Sequence, residues 1–159
     1  MSSFFIRRAA KGDEPALGRL AGMLVRMHSA WNPRRFVTME NVEVGYGRWL
    51  GKEARERSAL VMVAEREGIL VGYAYARFEA RDFNQLLGPH AVLHDILVDE
   101  GARGAGIAQA LLQAVRDECK ARKVPRIVLH TAVQNEPGQQ LFSRAGFVPT
   151  MIEMTCELD

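Results

Sequence analysis

Apolar positions along the chain recur with two different periods, and each change of period marks an element. Leu17, Leu20, Ala21 and Leu24 fall three and four residues apart, as on one face of a helix. Gly12-Asp13-Glu14-Pro15 just before them supplies a cap, an early acid and an early proline. A first helix ending near His28 is predicted, after a short strand over residues 4–8. The polar break Asn32-Pro33-Arg34-Arg35 separates it from a second helical stretch, about 39–57, whose propensity Gly47 and Gly51 lower. Valine, tyrosine and aliphatic residues then fill 58–67 and 69–80 on either side of Gly68, the pattern of an antiparallel hairpin.

Residues 91–98 are apolar at most positions, as a central strand covered on both faces should be, and they lead into Asp99-Glu100-Gly101-Ala102-Arg103-Gly104-Ala105-Gly106. Ile107, Ala110, Leu111, Ala114 and Val115 form one face of the next helix, which Val124-Pro125 ends before a fifth strand at 126–133. A strand, helix, strand crossover of this kind implies that strands four and five run parallel. Asn135-Glu136-Pro137 opens a last helix that Gly146 closes, and 147–158 has the pattern of one or two final strands. The expectation is therefore an α/β (α+β) chain, one domain over 1–159, with a mixed sheet of six to seven strands and about four helices.

With 159 residues, 48% of them hydrophobic and 25% charged, the chain is large enough to close a core of its own. Its 21 basic and 19 acidic residues are interspersed, which argues against a nucleic-acid partner. The N-terminal apolar stretch is too short for a signal peptide, and no later run reaches the roughly 18–20 residues of a membrane helix. These features lead to the expectation of a soluble, cytoplasmic protein. Cys119 and Cys156 lack metal-ligand spacing, so neither a disulfide nor a metal site is expected.

The segment Arg103-Gly104-Ala105-Gly106-Ile107-Ala108 joins a strand to a helix. Small residues there admit a ligand to the backbone, and the free N–H groups of a first helical turn attract anions. A tight turn without a ligand is the plain alternative. Ile107-Ala108 follow Gly106 where a nucleoside-triphosphate loop requires lysine and a hydroxyl residue. A dinucleotide fold would place the loop after its first strand and an acid at the end of the next, and neither condition is met.

Arg103, Gly106 and Ala108 match the signature of the GNAT superfamily of acyl-CoA N-acyltransferases: Arg or Gln, two residues, Gly, one residue, Gly or Ala. The capped helix from Asn135 that closes on Gly146-Phe147 resembles a second motif of that family, and the order of elements is similar over essentially the whole chain. The resemblance implies a GNAT fold with strands four and five splayed at a bulge, and acetyl-CoA as co-substrate. Ile96, Leu97 and Val98 would pair with the pantetheine arm; Arg103, Gly104, Ala105, Gly106, Ile107 and Ala108 would cradle the pyrophosphate. Asn135, also readable as a plain N-cap, and Phe142 would border the arm.

The implied reaction is direct attack of a neutral primary amine on the thioester in a ternary complex. A peptide N–H at the bulge, of Leu97 or Val98, would bond the oxyanion, and His130, His94 and Asp95 compete as base. Many relatives protonate the leaving thiolate with a tyrosine where this chain has Phe142; water, Ser143, Tyr46, Tyr73 or Tyr75 are the substitutes. His28, Asn32, Arg35, Phe36 and Asp82 lie in the segments expected to receive the acceptor, a small-molecule or protein amine. The alternative function is a binding or sensing module of the same fold, and a homodimer is a further expectation from the resemblance.

Overall fold

Five strands pair in chain order in one sheet: β1 (Phe5–Arg8), β2 (Ala59–Arg66), β3 (Ile69–Glu79), β4 (His90–Val98) and β5 (Ile127–Leu129). The first three junctions are antiparallel and β4–β5 is parallel. This computed structural model describes residues 3–159; the first two residues of the N-terminal stretch weighed above as a leader lie outside it. Among the described residues, four α-helices flank the sheet: α1 (Glu14–Trp31), α2 (Val42–Glu53), α3 (Ile107–Ala121) and α4 (Glu136–Arg144). None is long and apolar enough to cross a membrane.

Strand alternation sends neighbouring side chains to opposite layers. On β2 and β3, Val61, Val63, Tyr73 and Tyr75 turn toward α1 and α2, where they pack with Leu17, Leu20, Ala21 and Leu50. Leu60, Ala64, Ala74 and Ala76 turn the other way, onto Ile107, Leu111, Leu112 and Val115 of α3 and Phe142 of α4. The sheet is thus covered on both sides, as its apolar central strands require.

The glycines that weaken α2 as an isolated helix are where α1 crosses it. A Cβ on Gly47 would stand 2.3 Å from the Glu14 carbonyl oxygen, and one on Gly18 2.1 Å from that of Glu43. Backbone meets backbone there, so neither neighbour can step aside. Gly47→Ala, although it improves helix propensity, should destabilise the fold by about 1–3 kcal/mol through overpacking. Thermal unfolding checks this, and an unchanged or raised midpoint would refute the close crossing.

The sheet differs from expectation at its C-terminal side, with five strands rather than six to seven. Residues 147–159 form no strand, because they make no ladder bonds; the tail is held instead by Arg35–Glu153 and Arg34–Asp159 ion pairs at the end of α1. β5 covers 127–129 rather than 126–133, since the chain turns at 132–135 into α4, the Asn135 N–H donating to the Ala132 carbonyl. α2 is shorter than predicted, and α1 runs three residues past His28.

Candidate active site

β4 carries an extra residue. Tyr75 pairs with Asp95 and Ala76 with Leu93, so His94 is inserted between two regular stretches. The insertion reverses the alternation. Ala91 and Leu93 pack toward α3 before it, and Ile96 and Val98 do so after it. His94 and Asp95, consecutive in sequence, both face the α1–α2 layer: the His94 ring stacks on Tyr75 at 5.3 Å, and Asp95 accepts from the Tyr73 hydroxyl at 3.0 Å.

The far edge of β4 opens at the same place. Its ladder with β5 ends at Leu93–Leu129, while β4 continues to Val98 without a neighbour on that side. The Asp99 N–H donates to the Val71 carbonyl across β3, and pairing in steps of two gives Leu97 and Asp95 the same direction. The peptide groups of Ile96 and Val98 therefore face the gap. Of the two oxyanion donors considered from the sequence, the Val98 N–H points into the opening, whereas the Leu97 N–H turns into the β3 ladder. The bulge fixes this parity downstream of it, so the Leu97 N–H does not face the gap.

At the end of the gap, Asp99 and a single 3-10 turn (Glu100–Ala102) lead to the glycine segment. Gly104 and Gly106 both adopt φ of +80°, and a Cβ at either would meet nothing within 4 Å, so the space above them is open. No protein acceptor takes the N–H groups of residues 104–109 among the described residues; the first bond of α3 is from Ala110 to the Gly106 carbonyl. The Arg103 side chain bends back, its Nε 3.3 Å from the Val98 carbonyl oxygen. An open cradle of donors thus adjoins an open strand edge, with an arginine between them.

The α1–α2 face of the gap is aromatic and acidic. Tyr46 and Tyr73 both donate to the same oxygen of buried Asp95, Oδ2, at 2.7 and 3.0 Å. Oδ1 receives no donor from the protein, yet no buried side-chain polar atom among the described residues lacks a partner, so Oδ1 remains reachable. Burial raises the Asp95 carboxyl above its ordinary value, and the two tyrosine bonds oppose this. Burial and the charge of Asp95 push both phenols well upward, so they stay protonated as donors. Beside them, Trp49 meets Tyr46 at 5.5 Å and Tyr75 at 5.0 Å, edge to face. Burial alone would raise Glu53, but bonds from Tyr75 and Arg77 outweigh it and hold this carboxylate low. An open groove of about 480 Å³ continues from His94 to His130 along the same face.

Residues 23–147 match the model of the acetyltransferase (GNAT) family. The chain belongs to this family. No curated protein matches it. Among solved structures, a tetramutant of the BH1408 protein from Bacillus halodurans superposes with a TM-score of 0.85 at 20% identity, covering 97% of this chain and 99% of its own. Aminoglycoside N-acetyltransferase AAC(6')-Iy in complex with CoA gives 0.74 at 18% identity, covering 99% of this chain and 96% of its own. Glucosamine-6-phosphate N-acetyltransferase from Arabidopsis thaliana gives 0.71 at 19% identity, with 99% of each chain covered. At these identities the likeness is one of fold.

In this GNAT chain the residues singled out from sequence fall in several separate places. The peptide groups of Ile96, Val98 and residues 104–108 face the gap and its cradle, while the Ile107 side chain is buried in the α3 layer. Asn135 caps α4, its Oδ1 accepting from the Gly138 N–H at 3.1 Å, and the Phe142 ring is buried in the α3 layer against Phe147. His28 stacks edge-on with Trp31 and Phe36, both at 4.9 Å, and the Arg35 guanidinium lies 5.0 Å over Phe36. Asn32 caps the end of α1, accepting from the Arg35 N–H. Asp82 lines the groove, but its carboxylate is engaged in its own turn with Asn84 and Gln85. His130 stands exposed just past the end of β5 rather than within it. Sequence reasoning missed Trp49, Glu53 and Arg77, and considered Tyr46 and Tyr73 without linking them to Asp95. A hint lay in the spacing of Tyr73, Tyr75 and Arg77, which alternation places on one face.

Proposed function

We propose that this GNAT domain, residues 1–159, is an N-acetyltransferase that moves the acetyl group of acetyl-CoA to a primary amine by direct attack in a ternary complex. The observation that carries the reading is the coincidence, at one bulge, of an open strand edge, a donor cradle and a buried carboxylate on the opposite face. The pyrophosphate would take the N–H groups of residues 104–109, helped by the positive end of α3 and by Arg103. The pantetheine amides would pair with the Ile96 and Val98 peptides, with Asn135 and Phe142 bordering the arm. The thioester carbonyl then meets a strand-edge N–H as its oxygen gains charge.

The acceptor enters from the α1–α2 face. Asp95 Oδ1 takes the ammonium proton, directly or through one water; the amine nitrogen bonds the carbonyl carbon; the C–S bond breaks, thiolate leaves, and the second nitrogen proton passes through water to the thiolate. Phe142 has no proton to give, but a thiol with a solution pKa near 8.5 costs only about 2 kcal/mol to release as thiolate at pH 7, so water suffices. His94, whose imidazole burial holds below its usual value, stands alongside as a neutral relay toward His130. The aromatic wall and the acid favour a cationic amine, and small-molecule amines figure in the names of two structural neighbours.

Amine-dependent thiol release from acetyl-CoA across amino acids, polyamines, arylalkylamines, aminoglycosides, amino sugars and lysine peptides, with calorimetry of the coenzyme, tests this. Release with any amine supports transfer. Tight coenzyme binding without release would favour a sensing module, and no binding would defeat both. A sharper check is Tyr46→Phe. It removes a bond that stabilises the Asp95 carboxylate, so the acid limb of kcat/KM against pH should move upward. An unmoved limb would detach the tyrosine and Asp95 from proton transfer.

A further inference from the structure

The donor cradle follows directly on two acids. Asp99 and Glu100 precede the turn that leads to Arg103 and to the N–H groups of residues 104–109, where the pyrophosphate is proposed to sit. A carboxylate in that turn repels an anion, and it also competes for Arg103. Glu100 is exposed and screened by water, whereas Asp99 is partly buried. Its charge is met from the other layer of the molecule. Arg19, on α1, donates through Nη1 to Asp99 Oδ2 at 2.7 Å and through Nη2 to the Leu70 carbonyl oxygen at 2.9 Å. Two bonds in different directions fix the guanidinium, and the Met23 sulfur lies 3.7 Å from Nη1 on the same helix. The bond from Arg19 is the largest cause holding the Asp99 carboxyl below its usual range, and the charge of Arg103 contributes to the same shift. Arg103 nevertheless makes no ion pair among the described residues; its Nε turns to the Val98 carbonyl.

We infer that Arg19 is a positioning residue for the coenzyme: by holding the Asp99 carboxylate it keeps that charge off the pyrophosphate and leaves Arg103 for the phosphates. The inference rests on the coenzyme reading given above. It makes α1, a helix of the acceptor layer, a participant in donor binding. The shape of the turn does not depend on the pair. Asp99 Oδ1 accepts from the Gly101 N–H at 3.4 Å, a cap that asparagine also supplies, and Arg66 Nη2 lies 3.4 Å from the Gly101 carbonyl oxygen. Both members of the Arg19–Asp99 pair are partly open to water, so the pair adds little to stability. Its effect falls instead on the anion bound beside it.

Calorimetric titration of the full chain with coenzyme A tests this. At about 0.1 M salt, Arg19→Met should bind about tenfold more weakly than the native chain, because Asp99 is then unpaired beside the cradle. Adding Asp99→Asn to the same chain should bring affinity back to within about threefold of native, since the unpaired charge is gone. A role confined to tying α1 to the turn predicts no such rescue, because asparagine cannot restore the tie. Raising salt to about 0.5 M should shrink the Arg19→Met deficit to about threefold or less. Arg26→Met, which breaks a pair with Glu43 on the same helix, should bind as the native chain does. All four proteins should melt cooperatively. Native affinity in Arg19→Met, a deficit that Asp99→Asn does not reverse, or an equal deficit in Arg26→Met would overturn the inference and leave the coenzyme site standing. A native chain that binds no coenzyme A would overturn both.

Discussion

Gly106→Val should reduce coenzyme affinity at least about a hundredfold, because a branched side chain would fill the open space over the cradle and misdirect the N–H groups at the start of α3. Gly106 sits at φ +80°, so part of any effect is backbone strain, about 1–2 kcal/mol for an L-residue in that region. Gly68 separates the two contributions. It has φ +78°, equally open surroundings and a place in the β2–β3 turn, remote from the gap. Gly68→Val should therefore lower the melting midpoint by a similar amount and leave coenzyme titration unchanged. If Gly106→Val binds coenzyme as tightly as the native chain, the pyrophosphate is not held there; if both variants lose affinity equally, strain alone explains the loss.

Asp95→Asn should lower kcat by about 10²–10⁴, the usual contribution of a general base, while coenzyme affinity holds. The same substitution should not cost stability at neutral pH. Because burial raises the Asp95 carboxyl above 3.8, the folded chain holds this proton more tightly than the unfolded chain does. The stability so gained is present below the unfolded value and is lost as pH rises through the folded one. At pH 7 the native protein thus carries a destabilising buried charge that asparagine removes. Asp95→Asn should melt at or above the native midpoint at pH 7, and lose that relative advantage near pH 3.5. Unaltered turnover would pass the base role to His94 or His130. A large loss of stability at pH 7 would mean that the tyrosine bonds matter more than the burial.

The helices and the donor cradle were legible in the sequence because their signals are local. The three- and four-residue spacing of Leu17, Leu20, Ala21 and Leu24 lies within one helix, and Arg103 to Ala108 are contiguous. What was not legible depends on pairing. The apolar run 91–98 looks the same with or without an inserted residue, so the shared direction of His94 and Asp95 appears only once β3 fixes the register. The bonds from Tyr46 and Tyr73 to Asp95 span 49 and 22 residues, beyond any periodicity argument. Residues 147–158 were expected to add one or two strands and form none, because a two-residue period states only that a segment suits a sheet and makes no pairing by itself. Gly47 and Gly51 show the converse: a helix of low propensity forms because the absence of side chains lets its neighbour approach.

β4 also divides the labour of recognition by kind of atom. In the proposed arrangement its gap edge meets the donor through the peptide groups of Ile96 and Val98, which almost any amino acid at those positions would supply. Its other face meets the acceptor through the side chains of His94 and Asp95, which no other residues reproduce. In that arrangement substitutions at Ile96 or Val98 would leave the donor contacts in place, whereas substitutions at His94 or Asp95 would remove the proposed proton transfer, so one strand would carry a tolerant edge and an exacting face.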